Sequence, residues 1–427
     1  MKVGAYMKFF IKFLCNYRIS CRFDLLIFNG LMKEEIKDLA NKYINEVIQL
    51  RRDFHQYPEL AFEEVETASR ISEFLDSQKI NYTGKIAKTG IVGIIEGRNP
   101  SKKIIALRAD MDALAINEAN NIPYKSMNKG VMHACGHDAH MASLLGTLAI
   151  LNQLKDKFEG SVKFLFQPSE EKYPGGASVM IAEGVLENPK PKFIFGQHVY
   201  PELKAGQVGF RSGKYMASTD EVYLKVKGKG GHAALPHTLV DPILIASHII
   251  VSLQQIVSRH ALPTIPTVLS FGRIIGNGRT NVIPDEVNID GIIRTFDENW
   301  RNEIKRKIKE IAQSIAKGMG GECIVKIDKG YPYVFNNPEL TERAKVAAIE
   351  FLGSENVVEL DMRMTAEDFA FYSQIMPASF YRLGVGDPKS NEILNLHSST
   401  FNIDEQSLLT GISLMSWLAI KELSTYH

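Results

Sequence analysis

Residues 131–146 read VMHACGHDAHMASLLG. Positions 135 to 140 hold Cys135, His137, Asp138 and His140, with His133 just upstream, in a chain of only four cysteines and eleven histidines. The stretch runs straight into an apolar segment, HDAHMASLLGTLAILNQL (137–154). There Met141, Leu144, Leu145, Leu148 and Leu151 recur at helical spacing. Apolar runs of strand length flank this helix: GIVGIIEG (90–97) and KIIALRAD (103–110) before it, SVKFLFQ (161–167) and KFIFGQH (192–198) after it. Strands alternating with helices predict an α/β fold on a mostly parallel sheet.

Further from this centre, the pattern changes at residue 213. DEVYLKVKGKGGHAALPH alternates like a strand and enters a glycine-rich loop; a helix (PILIASHIIVSLQQIVSRH), two strand-like runs and the charged helix ENWRNEIKRKIKEIAQSIAKGMG follow. This order predicts a smaller α+β module inserted into the α/β domain. The expected division is 32–212 for the first part of the catalytic domain, 213–328 for the insert and 329–427 for the second part. A chain of 427 residues exceeds the size at which one core stops growing, which agrees with two domains. Residues 1–31 are basic and aromatic, with Lys8, Lys12, Arg18 and Arg22 breaking every apolar run. They lack the uninterrupted core of a secretory signal. They are expected to stand outside the fold, in the manner of a misread upstream start codon, which intact mass from the native host tests.

Composition narrows the function. The chain is 45% hydrophobic and 23% charged, with net charge +1 and no long block of one sign. That balance argues against nucleic-acid binding, which needs a basic face. No run of about 18 uncharged apolar residues predicts a membrane-crossing helix. Cys15, Cys21, Cys135 and Cys323 lack the density of a disulfide framework, so a reducing, cytoplasmic setting is expected.

Chemistry-bearing residues follow the apolar runs. IIALRA ends in Asp110 and Asp112, VKFLFQ in Glu170 and Glu171, FIFGQ in His198, and EILNL in His397. Ligands of open parallel sheets bind beyond the carboxyl ends of strands, so these side chains are expected to converge. Cys135, His137, Glu171, His198 and His397 offer thiolate, imidazole and carboxylate donors, the set expected of zinc or a similar divalent ion. Five donors exceed one tetrahedral site and suit two ions ~3.5–4 Å apart. Each residue also has a plainer reading. His198 can be a packed histidine and Cys135 a small buried hydrophobe. Glu170 and Glu171 can open a helix, and Asp110 and Asp112 can cap a turn. In the insert, His232 of GGHAALPH can polarise a substrate carbonyl or simply meet solvent. Asn281 and Arg294 can hold a carboxylate, although Arg294 also reads as a surface side chain.

The motifs RRDFHQYPELAFEE, ALRADMDALA, MHACGHDAHM, FQPSEE, GQHV, GGHAALPH, NVIPDEV, AEDFAFY and LHSS, in this order, resemble the M20 metallopeptidase and amidohydrolase family. The likeness is to its N-acyl-amino-acid amidohydrolase branch, with the hippurate and auxin-conjugate hydrolases, and runs from about residue 32 to the C-terminus. It implies a catalytic domain with two divalent ions (zinc or manganese, with cobalt or nickel also fitting) and an inserted lid or dimerisation domain. It implies that Cys135, His137, Glu171, His198 and His397 are the metal ligands and Glu170 the general base. It also implies that His232 contacts the scissile carbonyl from a partner subunit, and that Asn281 and Arg294 contact the substrate carboxylate. One departure is Ala115, where the family usually has proline; no ligand is lost. The expected protein is a homodimer or higher oligomer that cleaves linear amides of N-acyl-L-amino acids, without nucleic-acid or membrane partners. A metallo-dipeptidase or carboxypeptidase on the same fold is the near alternative. A cysteine hydrolase built on Cys135 is disfavoured by the surrounding acids, which raise a thiol pKa. A non-catalytic metal-binding protein is the third reading, and it has no use for a free Glu170.

Overall fold

The computed structural model describes residues 3–390 and 392–425, with side chains from residue 30 onward. Its larger sheet has eight strands in the order Tyr82–Ile86, Gly90–Glu96, Ser161–Gln167, Ile104–Asp110, Phe193–Lys204, Ala378–Gly386, Val208–Phe210 and Val357–Glu359. The four central strands run parallel. Antiparallel pairings enter toward the two edges. Parallel strands covered on both faces need continuous apolar sequence. Accordingly, every residue of Ser161–Gln167 is buried, as are six of the seven in Ile104–Asp110.

Helices supply the cover. His137–Leu154, Ser407–Ser424 and the part of Val3–Gln56 beyond Met32 pack on one face around Leu144, Leu148, Phe164 and Trp417. On the other face lie Gly176–Ala182 and Ala370–Ile375, around Met180, Phe369 and Phe380. His137–Leu154 is apolar nearly all round because it is buried nearly all round, which is the pattern of a central rather than a surface helix. In the long first helix, Met32, Ile36, Ala40, Tyr43, Val47 and Phe54 form the buried stripe, while Leu31 is exposed. The expected extension, 1–31, falls almost wholly on side chains outside the described set.

The chain leaves the large sheet after Val208–Phe210 and returns to it at Val357–Glu359. Gly213–Met216 and Val334–Asn336, on the outgoing and returning segments, pair antiparallel. Between them lies a four-stranded antiparallel sheet, ordered Thr267–Ile275, Glu286–Thr295, Asp220–Lys227 and Glu322–Lys329. Helices Pro242–Leu253 and Glu298–Gly318 cover one face through Ile245, Ile249, Ile304 and Ile308. By length and composition alone, Pro242–His260 is apolar enough to cross a membrane, although it is not a run of uncharged apolar residues, since it holds Gln254, Gln255 and Arg259. One face of it is packed on this sheet; Leu244 and Val251 are exposed.

One expected strand is absent. Glu392–Leu396, read as a strand leading into His397, forms none. The central strand Ala378–Gly386 already pairs on both sides, so the sheet offers this segment no place. It is a loop, pinned where the His397 N–H donates to Ala134 O at 2.8 Å.

Candidate metal centre

The end of Ser161–Gln167, the middle of Phe193–Lys204 and the loops carrying Cys135 and His397 meet at one cavity of about 540 Å³, lined by Cys135, Glu170, Glu171, His198 and His397 among others. Cys135 Sγ is 3.5 Å from His198 Nε2, and His397 Nε2 is 3.2 Å from Glu171 Oε1. Donor atoms of Cys135, His137 and His198 lie within 4.8 Å of one another, as do those of Cys135, Glu171 and His397. All five expected donors are therefore brought together, across more than 260 positions of sequence.

Local conformation aims them. Gly136, between Cys135 and His137, has φ +80°, and a Cβ there would lie 2.5 Å from Val199 Cγ2. Glycine thus allows the turn that presents the thiol and starts the helix at His137. Ser169, before the two glutamates, and His397 itself also have positive φ, at 51° and 60°. Non-glycine residues seldom adopt this region, and such strain concentrates at functional sites.

Hydrogen bonds sort donors from scaffold. His137 Nδ1 donates to Asp112 O, and His198 Nδ1 to Val199 O, both at 2.8 Å. This leaves each Nε2 as a free lone pair, the usual arrangement of a metal-binding histidine. His140 is different: its Nε2 accepts the Val199 N–H at 2.9 Å and its Nδ1 meets Asp110 Oδ1 at 2.5 Å, so it has no lone pair to offer. Asp110 also takes Arg108 Nη1 at 2.7 Å. Asp112 accepts the Glu170 N–H on Oδ1 and the Glu171 N–H on Oδ2, both at 2.9 Å. Asp112 thus serves as a turn acceptor, while Asp110 is held by the side chains of His140 and Arg108.

The donor set fits divalent cations. His137 Nε2 and Glu171 Oε1 are buried without hydrogen bonds, which is costly unless something else satisfies them. Burial, and then the nearby Arg382, hold the His198 imidazole well below its ordinary pKa and therefore neutral. Burial works against charging His137, yet Asp110 and Asp112 outweigh it and lift the group to about 10. Glu171 raises His397. Burial, with Glu171 and Glu170 beside it, pushes the Cys135 thiol well up, which disfavours a free thiolate nucleophile. A site crowded with acids and lifted histidines exchanges those protons for cations.

Glu170 is 6% exposed and its carboxyl pKa is raised well above the usual range by burial, then by Glu367 and Glu171. Tyr331 Oη donates to Glu170 O at 2.7 Å, and the Asp368 N–H approaches Glu170 Oε1 at 3.3 Å. Arg108 binds Asp110, Glu367 and Asp368 together from beneath. Sequence reasoning gave Arg108, Glu367, Asp368 and Tyr331 no role, although a charge inside the apolar run IIALRAD was a visible signal.

Of the insert residues, Arg294 lines the cavity, and its Nη1 is buried without a hydrogen bond. Asn281 and His232 are exposed and are absent from the cavity wall of this chain. His232 Nδ1 accepts the Ala234 N–H at 3.1 Å, and Asn281 O accepts the Ala233 N–H at 3.0 Å, so the two residues sit on neighbouring segments at the surface, where Gly231–His232 pairs with Val282–Ile283.

Comparison with known proteins agrees with this architecture. Residues 106–421 match Peptidase family M20/M25/M40. N-acetylcysteine deacetylase of Bacillus subtilis (strain 168) is 38% identical over 89% of this chain and 97% of its own length. IAA-amino acid hydrolase ILR1-like 4 of Arabidopsis thaliana is 38% identical over 92% and 90%. The YXEP protein of Bacillus subtilis, described as a dinuclear metal binding peptidase from the M20 family, superposes with TM-score 0.78 at 35% identity, covering 90% of this chain and 100% of that one. A match over most of the chain, with relatives well above 30% identity along nearly their full length, places this protein as an amide-cleaving hydrolase of Peptidase family M20/M25/M40.

Proposed function

We propose that this enzyme hydrolyses N-acyl-L-amino acids to a carboxylate and a free amino acid, at a pair of divalent cations held by Cys135, His137, Glu171, His198 and His397. The observation that carries this reading is a complete donor set with the buried Glu170 beside it on one cavity wall. Cys135 lies within reach of the His137–His198 pair and of the Glu171–His397 pair and would help to hold the cations. Bound divalent cations supply Lewis acidity, which acidifies water and polarises a carbonyl.

The chain's own residues do the rest. Glu170 takes the proton of the attacking water and delivers it to the leaving nitrogen, a task suited to a carboxyl with a raised pKa. Asp112 and Tyr331 hold its backbone in place. Arg294, a guanidinium with an unsatisfied nitrogen, receives the substrate α-carboxylate. His232 and Asn281 join from a second copy, for which the exposed Leu244 and Val251 of the smaller domain offer apolar surface. The first boundary of the domain division, 213, falls just after Phe210, where the chain leaves the large sheet; the second, 328, falls in Glu322–Lys329, the last strand of the smaller sheet, ahead of the return at Val357. Zinc or manganese suits a thiolate, imidazole and carboxylate set, and a reducing cytoplasm keeps Cys135 available.

A relative named thermostable carboxypeptidase 1, from Saccharolobus solfataricus, at 37% identity supports dipeptides as the second substrate class. The test is amino-acid release from a panel of N-acetyl, N-benzoyl and dipeptide substrates, with metal content measured on the same sample. Preference for the N-acyl compounds is expected. Turnover confined to dipeptides overturns the reading in favour of the peptidase.

A further inference from the structure

Four arginines are buried among the described residues: Arg51, Arg108, Arg301 and Arg382. Three sit against carboxylates. Arg51 meets Asp138; Arg108 meets Asp110, Glu367 and Asp368; Arg301 meets Asp220 and Glu298. Arg382 has none within ion-pairing reach. Its Nε donates to Tyr215 Oη at 2.7 Å and its Nη2 to Met216 Sδ at 3.1 Å, both uncharged acceptors. The rings of Phe380, Tyr215 and Tyr200 lie 5.2, 5.5 and 5.9 Å from its Cζ. Aromatic faces ease the burial of a guanidinium but do not neutralise it. Glu367 acts on it only from beyond contact distance and is itself paired with Arg108 at 3.0 Å, so the guanidinium is left under-compensated. A buried charge in that state is costly, which points to an anion supplied from outside the protein.

The position of Arg382 says where that anion belongs. Arg382 is the register partner of His198 on the adjacent parallel strand, and it lines the cavity that holds the donor set. Parallel neighbours project to the same side of a sheet, so the guanidinium stands next to the proposed reaction centre. A second cation, Arg363, stacks on the other ring of this wall, Tyr200, at 4.6 Å, with only a 3.7 Å contact to Glu202. The nearby Cys135 would be no substitute counter-charge, since it would be taken up in holding the cations.

With Arg294 also lining the cavity, two under-satisfied guanidiniums serve one small substrate. We infer that the preferred substrates are dianionic N-acyl amino acids, with one carboxylate for Arg294 and a second for Arg382. This deepens the amidohydrolase reading and rests on it. The second carboxylate comes either from a dicarboxylic acyl group or from an acidic amino-acid side chain, and the two sources are separable.

The test pairs each acid with its isosteric amide: N-succinyl-L-alanine against N-succinamoyl-L-alanine, and N-acetyl-L-glutamate against N-acetyl-L-glutamine. In the metal-loaded enzyme, at least one acid is expected to exceed its amide in kcat/KM by roughly 10–100-fold, mainly through KM, as a charge-assisted contact predicts. The pair that shows the preference identifies the source. In Arg382→Met the ratio falls toward one, and Arg382→Lys retains part of it. Calorimetric binding of the same pairs to chelated protein gives a second readout without turnover, with the acid again the tighter ligand. The wild-type ratios stand whether or not the Met variant folds. Amides turned over as well as both acids overturn the inference and leave the amidohydrolase reading intact. A preference that survives Arg382→Met removes Arg382 from the role. No turnover of any acylated compound, alongside turnover of dipeptides, overturns the underlying reading and the inference with it.

Discussion

Asp112→Asn tests how the glutamate loop is held, together with a smaller effect on His137, whose Nδ1 lies 3.3 Å from Asp112 Oδ1. Asp112 is 1% exposed and its two carboxylate oxygens receive the N–H groups of Glu170 and Glu171, each at 2.9 Å. Its own carbonyl orients His137 at 2.8 Å and is untouched by the change. Asparagine keeps the shape but turns one oxygen into an NH₂, which faces one of the two backbone N–H groups donor to donor. A hydrogen bond to a charged acceptor contributes about 1.5–3 kcal/mol and a neutral one about 0.5–1.5 kcal/mol. One bond is lost and the other is downgraded, a cost of about 2–5 kcal/mol. Relief of repulsion from the neighbouring carboxylates of Glu64 and Glu170 offsets part of it. A net of about 2 kcal/mol corresponds to about 30-fold in the population of the correctly held loop. Residues that support metal ligands typically cost about 10–100-fold in affinity or activity, which is the same range. Competition against a chromophoric chelator, with kcat on the same preparation, measures both; each is expected to fall at least about 10-fold while far-ultraviolet circular dichroism is unchanged. An Asp112→Asn enzyme with wild-type metal affinity and wild-type kcat refutes the argument that this carboxylate holds the loop.

Glu170→Gln is expected to retain its metal content, measured by elemental analysis, while kcat drops by about 10²–10⁴-fold; wild-type turnover would remove Glu170 as the proton carrier. Exhaustive chelation should abolish activity and added zinc or manganese restore it, whereas a cysteine hydrolase survives the chelator. His55 gives a pH signature. Burial and Arg51 lower its pKa, but hydrogen bonds to Asp138 and Glu118 win and leave it raised. A raised folded pKa stabilises fully below the unfolded value near 6.5 and loses that contribution as pH rises through the folded pKa. The stability gap between wild type and His55→Gln, read from denaturant melts, should therefore shrink above neutrality; a gap that widens there contradicts the ion-pair account. Leu148→Ala, at a position with no exposure in the central helix, should cost about 2–5 kcal/mol by the same melts.

Much of the architecture was legible because its signals are local. The apolar runs at 90–97, 103–110, 161–167 and 192–198 became strands, and 137–154 became a helix; those at 103–110, 161–167 and 137–154 bury nearly every side chain. Metal-type residues following those runs were legible for the same reason: strand ends point into one crevice. The 392–396 run misled because its apolar pattern carries no information about whether a sheet edge is free. Arg382 was likewise visible as a charge within FYRLGV, but nothing local says whether a carboxylate waits opposite.

Sequence alone determined the fold class and most of the order of elements, because burial and periodicity act over a few residues, and it put forward five candidate donors. Only tertiary structure separated donors from scaffold. Asp110, Asp112 and His140 are engaged by groups on other segments, while His137 Nε2 has no hydrogen bond and Glu171 Oε1 meets only His397 Nε2, at 3.2 Å. Tertiary structure alone left His232 and Asn281 off the wall of this chain's cavity and put Arg382 on it unpaired. The physical reason is the same throughout: whether a polar group is satisfied depends on partners tens to hundreds of positions away, and their arrival is decided by packing rather than by neighbouring sequence.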